Sequence, residues 1–336
     1  MSALITRNAT EPAEARGLER DEVRLLVATP DALTDSVFRE LPAFLSPGDL
    51  VVVNRSATLA ASVDGHRADG AEVEVHFASA LDDGTWVVEV RPAGLSFGPV
   101  TDVHEGERIG LPAGSWLDVL ETLPDQHRLH RVAVAVEGPV TGLLQTHGRP
   151  IAYGYIPQRW PLSAYQTVFA HEPGSAEMPS AARPFTHRTV TELVTRGVLM
   201  APVTLHTGVS SPEVGEPPNP ERFDVPASTA ALANHVRWRG GRVVAVGTTV
   251  TRALESVADE SGFVRAGRGW TDLVLGTDRP ARVVNGLVTG WHEPGASHVH
   301  LLEAVAGAEL VQRAYEHAED EHYLWHEFGD SCLLLP

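Results

Sequence analysis

The chain has 336 residues, 43% of them hydrophobic and 21% charged, with a formal net charge of −18; it is long enough to bury one full core or two and too acidic for broad electrostatic capture of nucleic-acid phosphates. Its one cysteine, Cys332, excludes an intrachain disulfide and a cysteine zinc cluster. All 26 basic residues are arginine, which excludes lysine Schiff-base chemistry and a P-loop lysine.

The N-terminal run MSALITRNATEPAEARGLERDE is polar and mixed in charge, without the basic and apolar regions of a secretion signal. No apolar run approaches the ~20 residues of a membrane helix. Together with the cysteine usage these features predict a cytoplasmic protein with no membrane partner. A helical stretch is expected near Thr34–Leu45, then a turn at Pro47-Gly48-Asp49 and an apolar strand at Leu50–Val53.

From about Ala60 to Gly148 the texture changes. AEVEVHFASALDDGTWVVEVRP alternates apolar and polar residues around Asp82-Asp83-Gly84, which reads as a hairpin. ERIGLPAGSWLDVLETL and HRLHRVAVAVEG continue as short strands, as in a small antiparallel barrel or sandwich. From Ile151 the pattern becomes α/β. Arg188–Gly197 reads as a helix ending at Gly197, VLMAPVTLHTG as a strand, and TAALANHVRWRGG as a helix closed by glycines. GGRVVAVGTTVTR then reads as a buried strand running into a helix at Val250–Glu260. DLVL and RVVNGLVT read as short strands, and Val299–His317 as one long amphipathic helix. The fold class is therefore mixed α/β. Residues 1–60 and 150–336 form a discontinuous main domain, and 61–149 an inserted β-rich domain.

Several motifs can carry chemistry. Gly247 allows a tight turn, and Thr248 or Thr249 is expected to cap the helix that follows. The unpaired first N–H groups of that helix suit an anion, and Arg252, one turn in, is expected to reach the same anion. His206 ends an apolar strand, where ligands bind in α/β sheets. His292, His298 and His300 lie with Glu293 in a Gly/Pro-rich run, but the spacing is not H-E-x-x-H, so no metal is expected. Glu221 follows a proline-rich loop (Pro212, Pro217, Pro218, Pro220) long enough to be a lid. Asp330 stands beside Gly329 near an apolar end, placed to cap or to act.

In order, LSPGDLVVVN, YQTVFA, GSAEMPSAARPFT, VTLHTGV, ERFDV, GGRVVAVGTTVTRALES, VNGLVTGWHEPGAS and YLWHEFGDSCLL resemble the S-adenosylmethionine:tRNA ribosyltransferase-isomerase family of queuosine biosynthesis. The resemblance runs from about residue 20 to the end. It implies an α/β domain with an inserted β-barrel, and a metal-free reaction. In that reaction the ribosyl part of S-adenosylmethionine passes to 7-aminomethyl-7-deazaguanine in tRNA and is isomerised, with loss of adenine and methionine. On this reading Gly247, Thr248, Thr249 and Arg252 hold an anionic group of the substrate. His206 and His292 are the acid/base residues, and Glu221 and Asp330 are alternatives or orienters.

The chain departs from the family pattern at several motif positions. Arg55 replaces an acid, two motif arginines are missing after Asn54, and Pro184 replaces a histidine. Pro217-Pro218-Asn219-Pro220 replaces a histidine-containing run, and TGWHEPGAS lacks an asparagine and a basic residue. Fewer cations weaken phosphate contact. A transfer from S-adenosylmethionine to a small-molecule acceptor, and a non-catalytic binding protein, are the alternative readings. Arg237, Arg239, Arg265 and Arg268 lining a path to the site would favour tRNA.

Overall fold

The computed structural model describes residues 7–95, 98–124, 126–209, 219–293 and 297–336. Its first half holds β1 (Arg24–Ala28), β2 (Leu33–Val37), β3 (Leu50–Asn54), β4 (Ser56–Thr58), β5 (Ser62–His66), β6 (Glu72–Ala80), β7 (Trp86–Pro92), β8 (Arg108–Gly110), β9 (Trp116–Thr122), β10 (Leu129–Ala135) and α1 (Val140–His147). The second half holds β11 (Glu172–Ser175), α2 (His187–Thr195), β12 (Leu199–Leu205), β13 (Glu221–Val225), α3 (Ala227–Trp238), β14 (Val243–Val246), α4 (Thr248–Ser256), β15 (Gly267–Thr271), β16 (Gly286–Thr289), α5 (Ser297–Ala306), α6 (Ala308–Asp320) and β17 (Ser331–Leu334).

Among the described residues, nine strands form one mixed sheet in the order β15-β13-β12-β3-β14-β16-β17-β1-β2. The central strands β12, β3, β14 and β16 run parallel. Their apolar runs, LVVVN in β3 and VVAV in β14, are buried throughout, as strands covered on both faces must be. Two apolar layers cover the sheet. One packs Leu50, Val52, Val243 and Ala245 against α3, α4, α5 and α6. The other packs Val51, Val53, Val244 and Val246 against Phe38, Phe185 and Leu193.

Strands β5 to β10 close a six-stranded antiparallel barrel, which decides between barrel and sandwich. Val63, Val75, Phe77, Val88, Val90 and Ile109 fill its interior. The alternate residues Glu74, His76 and Glu89 are also buried, so the outer face of β6 and β7 is covered by a charged layer. The segment after α1 supplies part of that cover, Arg149 and Arg159 pairing with Glu74, and the barrel's own Arg91 and Arg128 pair with Glu89.

Four expectations are corrected. Residues 34–37 are strand, since β2 pairs with β1, and the helical part is a 3-10 stretch over Phe38–Phe44. DLVL is not a strand; the preceding GRGWT is β15, recruited by β13 despite its glycines. The helix after Gly247 ends at Ser256, short of Glu260. The single helix expected over 299–317 is α5 and α6, broken at Gly307, whose φ of 79° leaves the helical region. Among the described residues no helix is long and apolar enough to cross a membrane.

Candidate active site

The carboxyl ends of β12, β3, β14 and β16 lie side by side, and the chain leaves β3 with a neighbour on each side. This is the switch point at which α/β sheets bind ligands. Asn54, fully buried at the end of β3, ties the point together. Its amide donates to Leu205 O at 2.8 Å and Thr249 Oγ1 at 3.3 Å, and its Oδ1 accepts from the backbone N–H of Ser56 and of Leu205. One side chain thus fixes β3, β12 and the start of α4.

His206 follows β12. Its Nδ1 is 2.8 Å from Ser56 Oγ, which is 2.6 Å from Ser175 Oγ, and Thr207 N donates to that same Ser175 oxygen. The ring lies flat on Gly174, where any Cβ would overlap it. Burial lowers the His206 pKa; Glu172 opposes and the Arg222 charge adds to the effect. The imidazole is therefore neutral near pH 7, with one nitrogen able to accept a proton.

Glu221 opens β13 and faces the same turn. One carboxylate oxygen accepts from Gly208 N at 3.2 Å and the other pairs with Arg252 Nη1. Arg252, 6% exposed, also donates to the carbonyls of Leu273, Asn219 and Thr271. Arg252, expected to reach an anion at the start of α4, makes its contacts in this structure with Glu221 and these three carbonyls. Burial raises the Glu221 pKa, opposed by Arg252 and the Gly208 N–H.

Gly247, with φ 92°, is itself the cap of α4, and neither Thr248 nor Thr249 caps it with its side chain. Thr249 Oγ1 instead receives Asn54. Gly247 N donates to Val288 O, and a Cβ here would press on Ala181 at 3.3 Å. The first N–H groups of α4 lack acceptors inside the helix and face the switch point.

His292 follows β16. Its Nε2 is 3.3 Å from Thr289 Oγ1, and its ring stacks on His298 at 4.6 Å and 6°. Burial, then the neighbouring His298 and His326, holds His292 well below the ordinary histidine range. Burial and the Arg252 charge bring His298 down to about 4. Both are neutral near pH 7. His206 and His292 follow β12 and β16, on either side of the adjacent β3 and β14, the latter leading into the Gly247 turn.

Asp330 is placed differently. It is buried, and its two oxygens accept the backbone N–H of Arg24 and of Leu324. Burial raises its pKa against those two donors. It ties the start of β1 to the C-terminal segment, at the end of the sheet where β16 finishes. Pro212, Pro217 and Pro218 lie outside the described residues, as does Pro294. Of the arginines that would favour tRNA if they lined a path to the site, Arg237 and Arg239 end α3, beside the amino end of β14 at the far end of the sheet, Arg265 is 3.6 Å from Asp259, and Arg268 lies on β15 opposite Asp224 of β13. Among the described residues no three His, Cys, Asp or Glu side chains are grouped to hold a metal ion.

The site residues not anticipated from sequence are Asn54, Ser56 and Ser175, and His298, weighed there only as a metal ligand, stacks on His292. Asn54 carried a signal, a polar side chain closing an apolar strand. The two serines carried none, since they meet only through the parallel pairing of β4 and β11.

A mixed α/β sheet with polar groups gathered at its switch point, beside an antiparallel barrel, defines a two-part α/β protein of enzyme type. The family model described as "Queuosine biosynthesis protein" matches residues 5–334, and the chain belongs to that family. It is 37% identical to an S-adenosylmethionine:tRNA ribosyltransferase-isomerase of Thiobacillus denitrificans, over 96% of this chain and 92% of that protein. It is 35% identical to the protein of the same name from Symbiobacterium thermophilum, over 99% and 96%. The crystal structure of an S-adenosylmethionine tRNA ribosyltransferase from Thermotoga maritima superposes with a TM-score of 0.53 at 26% identity, covering 98% of this chain and 96% of that one.

Proposed function

We propose that this chain transfers and isomerises the ribosyl moiety of S-adenosylmethionine onto 7-aminomethyl-7-deazaguanine in tRNA, releasing adenine and methionine, in the cytoplasm. The observation that carries this reading is the match, over nearly the whole chain, to relatives named for that transfer. The barrel, taken as an insert of residues 61–149, stands beside the site on one side.

The chemistry assigns roles to this chain's residues. A sulfonium acidifies the adjacent C5′ hydrogens, so a neutral, positioned imidazole can remove one. His206, held by Ser56 over Gly174, is that base. Adenine leaves more easily with a donor at its ring nitrogens, and His292, neutral and fixed by His298, supplies it. The N–H groups of Thr248 and Thr249, at the turn that Gly247 makes, receive the methionine carboxylate. Glu221, aimed by Arg252 and Gly208, orients the sugar hydroxyls. Asp330 acts only through the backbone it holds.

The test is to incubate the protein with S-adenosylmethionine, with and without tRNA bearing the aminomethyl-deazaguanine base, and follow adenine and methionine by mass spectrometry. Release that requires the tRNA, with a matching mass gain on it, is expected. His206→Gln should remove turnover by at least about a hundredfold and leave S-adenosylmethionine binding in place. Release without any tRNA dependence would move the acceptor to a small molecule.

A further inference from the structure

A surface groove of about 640 Å³ lies between α3 and the turn that follows α4, toward the end of the sheet opposite the switch point. Ala231, His235 and Trp238 line it from α3, and Ser261 and Phe263 from the turn. Its two sides are fastened together. Asn234 of α3 donates to Val264 O and accepts from Val264 N, both at 2.8 Å, and Arg237 donates to Gly262 O. The groove is therefore preformed.

Trp238 is 78% exposed, more than any other large apolar side chain among the described residues. His235 stands 6.2 Å away and is tilted by 40°, so it leaves the indole faces open. The Phe263 ring carries the Arg265 guanidinium at 5.4 Å, so the free ring face here is that of Trp238. The surroundings are basic. Arg239 follows Trp238, and the backbone carbonyl of Arg282 lies against Gly262. Both arginines are exposed, and neither makes an ion pair among the described residues. Arg265 is 3.6 Å from Asp259, with its side chain 70% exposed. The acids of the turn are Asp259 and Glu260, and Asp259 already accepts from the N–H groups of Ser261 and Phe263 and from the Ser261 hydroxyl. Arg237, Arg239, Arg265 and Arg282 thus face two acids, in a chain whose acids outnumber its bases 44 to 26. A net charge hides such a local reversal.

We propose that this groove docks a single-stranded segment of the RNA acceptor, with one unpaired base stacked on Trp238 and the flanking phosphates met by Arg239, Arg265 and Arg282. The proposal rests on the functional reading above, which supplies the tRNA. Every base has a face that stacks on an aromatic ring, whatever its sequence, and arginine is the better fork for phosphate. Ring and cation alternate here, Trp238 with Arg239 and Phe263 with Arg265, as base and phosphate alternate along a strand. A small molecule is held by enclosure on most of its surface, which a groove with so exposed an indole does not give. The position also fixes which part of the RNA is bound. The groove and the switch point are at opposite ends of the sheet, so its occupant is a nucleotide other than the one that reacts.

Fluorescence anisotropy with the full chain tests this, using labelled tRNA bearing the aminomethyl-deazaguanine base as the probe. Trp238→Ala and the pair Arg239→Ala/Arg282→Ala change exposed side chains, and thermal melts check that the variants fold. Trp238→Ala should weaken tRNA binding by about tenfold, the scale of one stacked base. The arginine pair should lower the slope of log K against log[salt] by about 1.4, two single-strand phosphate contacts at ~0.7 each. In turnover all these variants should raise KM for tRNA and leave kcat and the KM for S-adenosylmethionine within about twofold, the pattern of lost uniform binding. Unchanged tRNA affinity and salt slope overturn the proposal. So does a wild-type protein that sediments as a dimer and becomes a monomer on Trp238→Ala with tRNA affinity retained, which would make the groove a contact between two copies. A wild-type protein that binds tRNA, with the losses expected in the variants, but releases no adenine defeats the functional reading alone; one that binds no tRNA overturns both.

Discussion

Arg252 shows how far a side chain's role depends on what it meets. It is buried, pairs with Glu221 and satisfies three carbonyls, so its removal strands a buried carboxylate. Arg252→Ala should cost roughly 3–5 kcal/mol of stability, and the double variant Arg252→Ala/Glu221→Gln clearly less than the sum of the two singles, because breaking a buried pair is worse than deleting it. Urea unfolding of the four proteins measures this, and strict additivity would mean that the two groups do not support one another. Gly174 gives a second test at this scale. A Cβ there would overlap the His206 ring, so Gly174→Ala must turn the imidazole away from Ser56. If His206 is the base, kcat should fall by about a hundredfold, the scale of a misplaced catalytic group, with S-adenosylmethionine binding retained. Near-normal kcat in a folded variant would remove His206 from the chemistry.

Among the elements, the break between α5 and α6 is the clearest departure from pattern. The apolar spacing over 299–317 continues through Gly307, so periodicity alone joins the two helices. Gly307 sits at φ 79°, ψ 147°, a region open almost only to glycine. Gly307→Ala should cost roughly 1–3 kcal/mol for that reason, read as a lower denaturant midpoint at unchanged slope; a neutral or stabilising effect would mean that the two helices can fuse. Elements written in local chemistry were legible: the buried runs of β3 and β14, the Asp82-Asp83-Gly84 hairpin, and the helix ends at Gly197 and Gly240. Elements made by pairing were not. EPGS in β11 and GRGWT in β15 have little strand propensity, and their partners β4 and β13 impose the conformation. The site divides in the same way. His206, His292 and the Gly247 turn are visible because strand ends are visible. The direction of Arg252 depends on where the β12–β13 pairing puts Glu221, and the bonds of Asp330 reach a strand some 300 positions away, at Arg24.

At the scale of the whole molecule, a charged layer joins the barrel to the rest of the chain. Burial raises the pKa of Glu74, but His76, Arg149 and Arg159 outweigh it and hold the carboxyl near 2. Burial likewise opposes, and His76, Arg128 and Arg91 overcome, the rise at Glu89, also held near 2. A carboxylate with a depressed folded-state pKa contributes stability that is complete above its unfolded value, about 4.5, and is lost as the pH falls toward 2. The acid limb of the stability curve should therefore steepen below about pH 4.5. Glu89→Gln separates this contribution from all others. At pH 7 it leaves Arg91 and Arg128 without their buried anion, and should cost a few kcal/mol. As the pH falls the wild-type carboxylate takes up a proton and loses the same advantage, so the two stability curves should converge near pH 2. Chemical denaturation across pH 2–7 checks this. A constant offset between the curves down to pH 2 would mean that Glu89 holds the barrel by its shape and not by its charge.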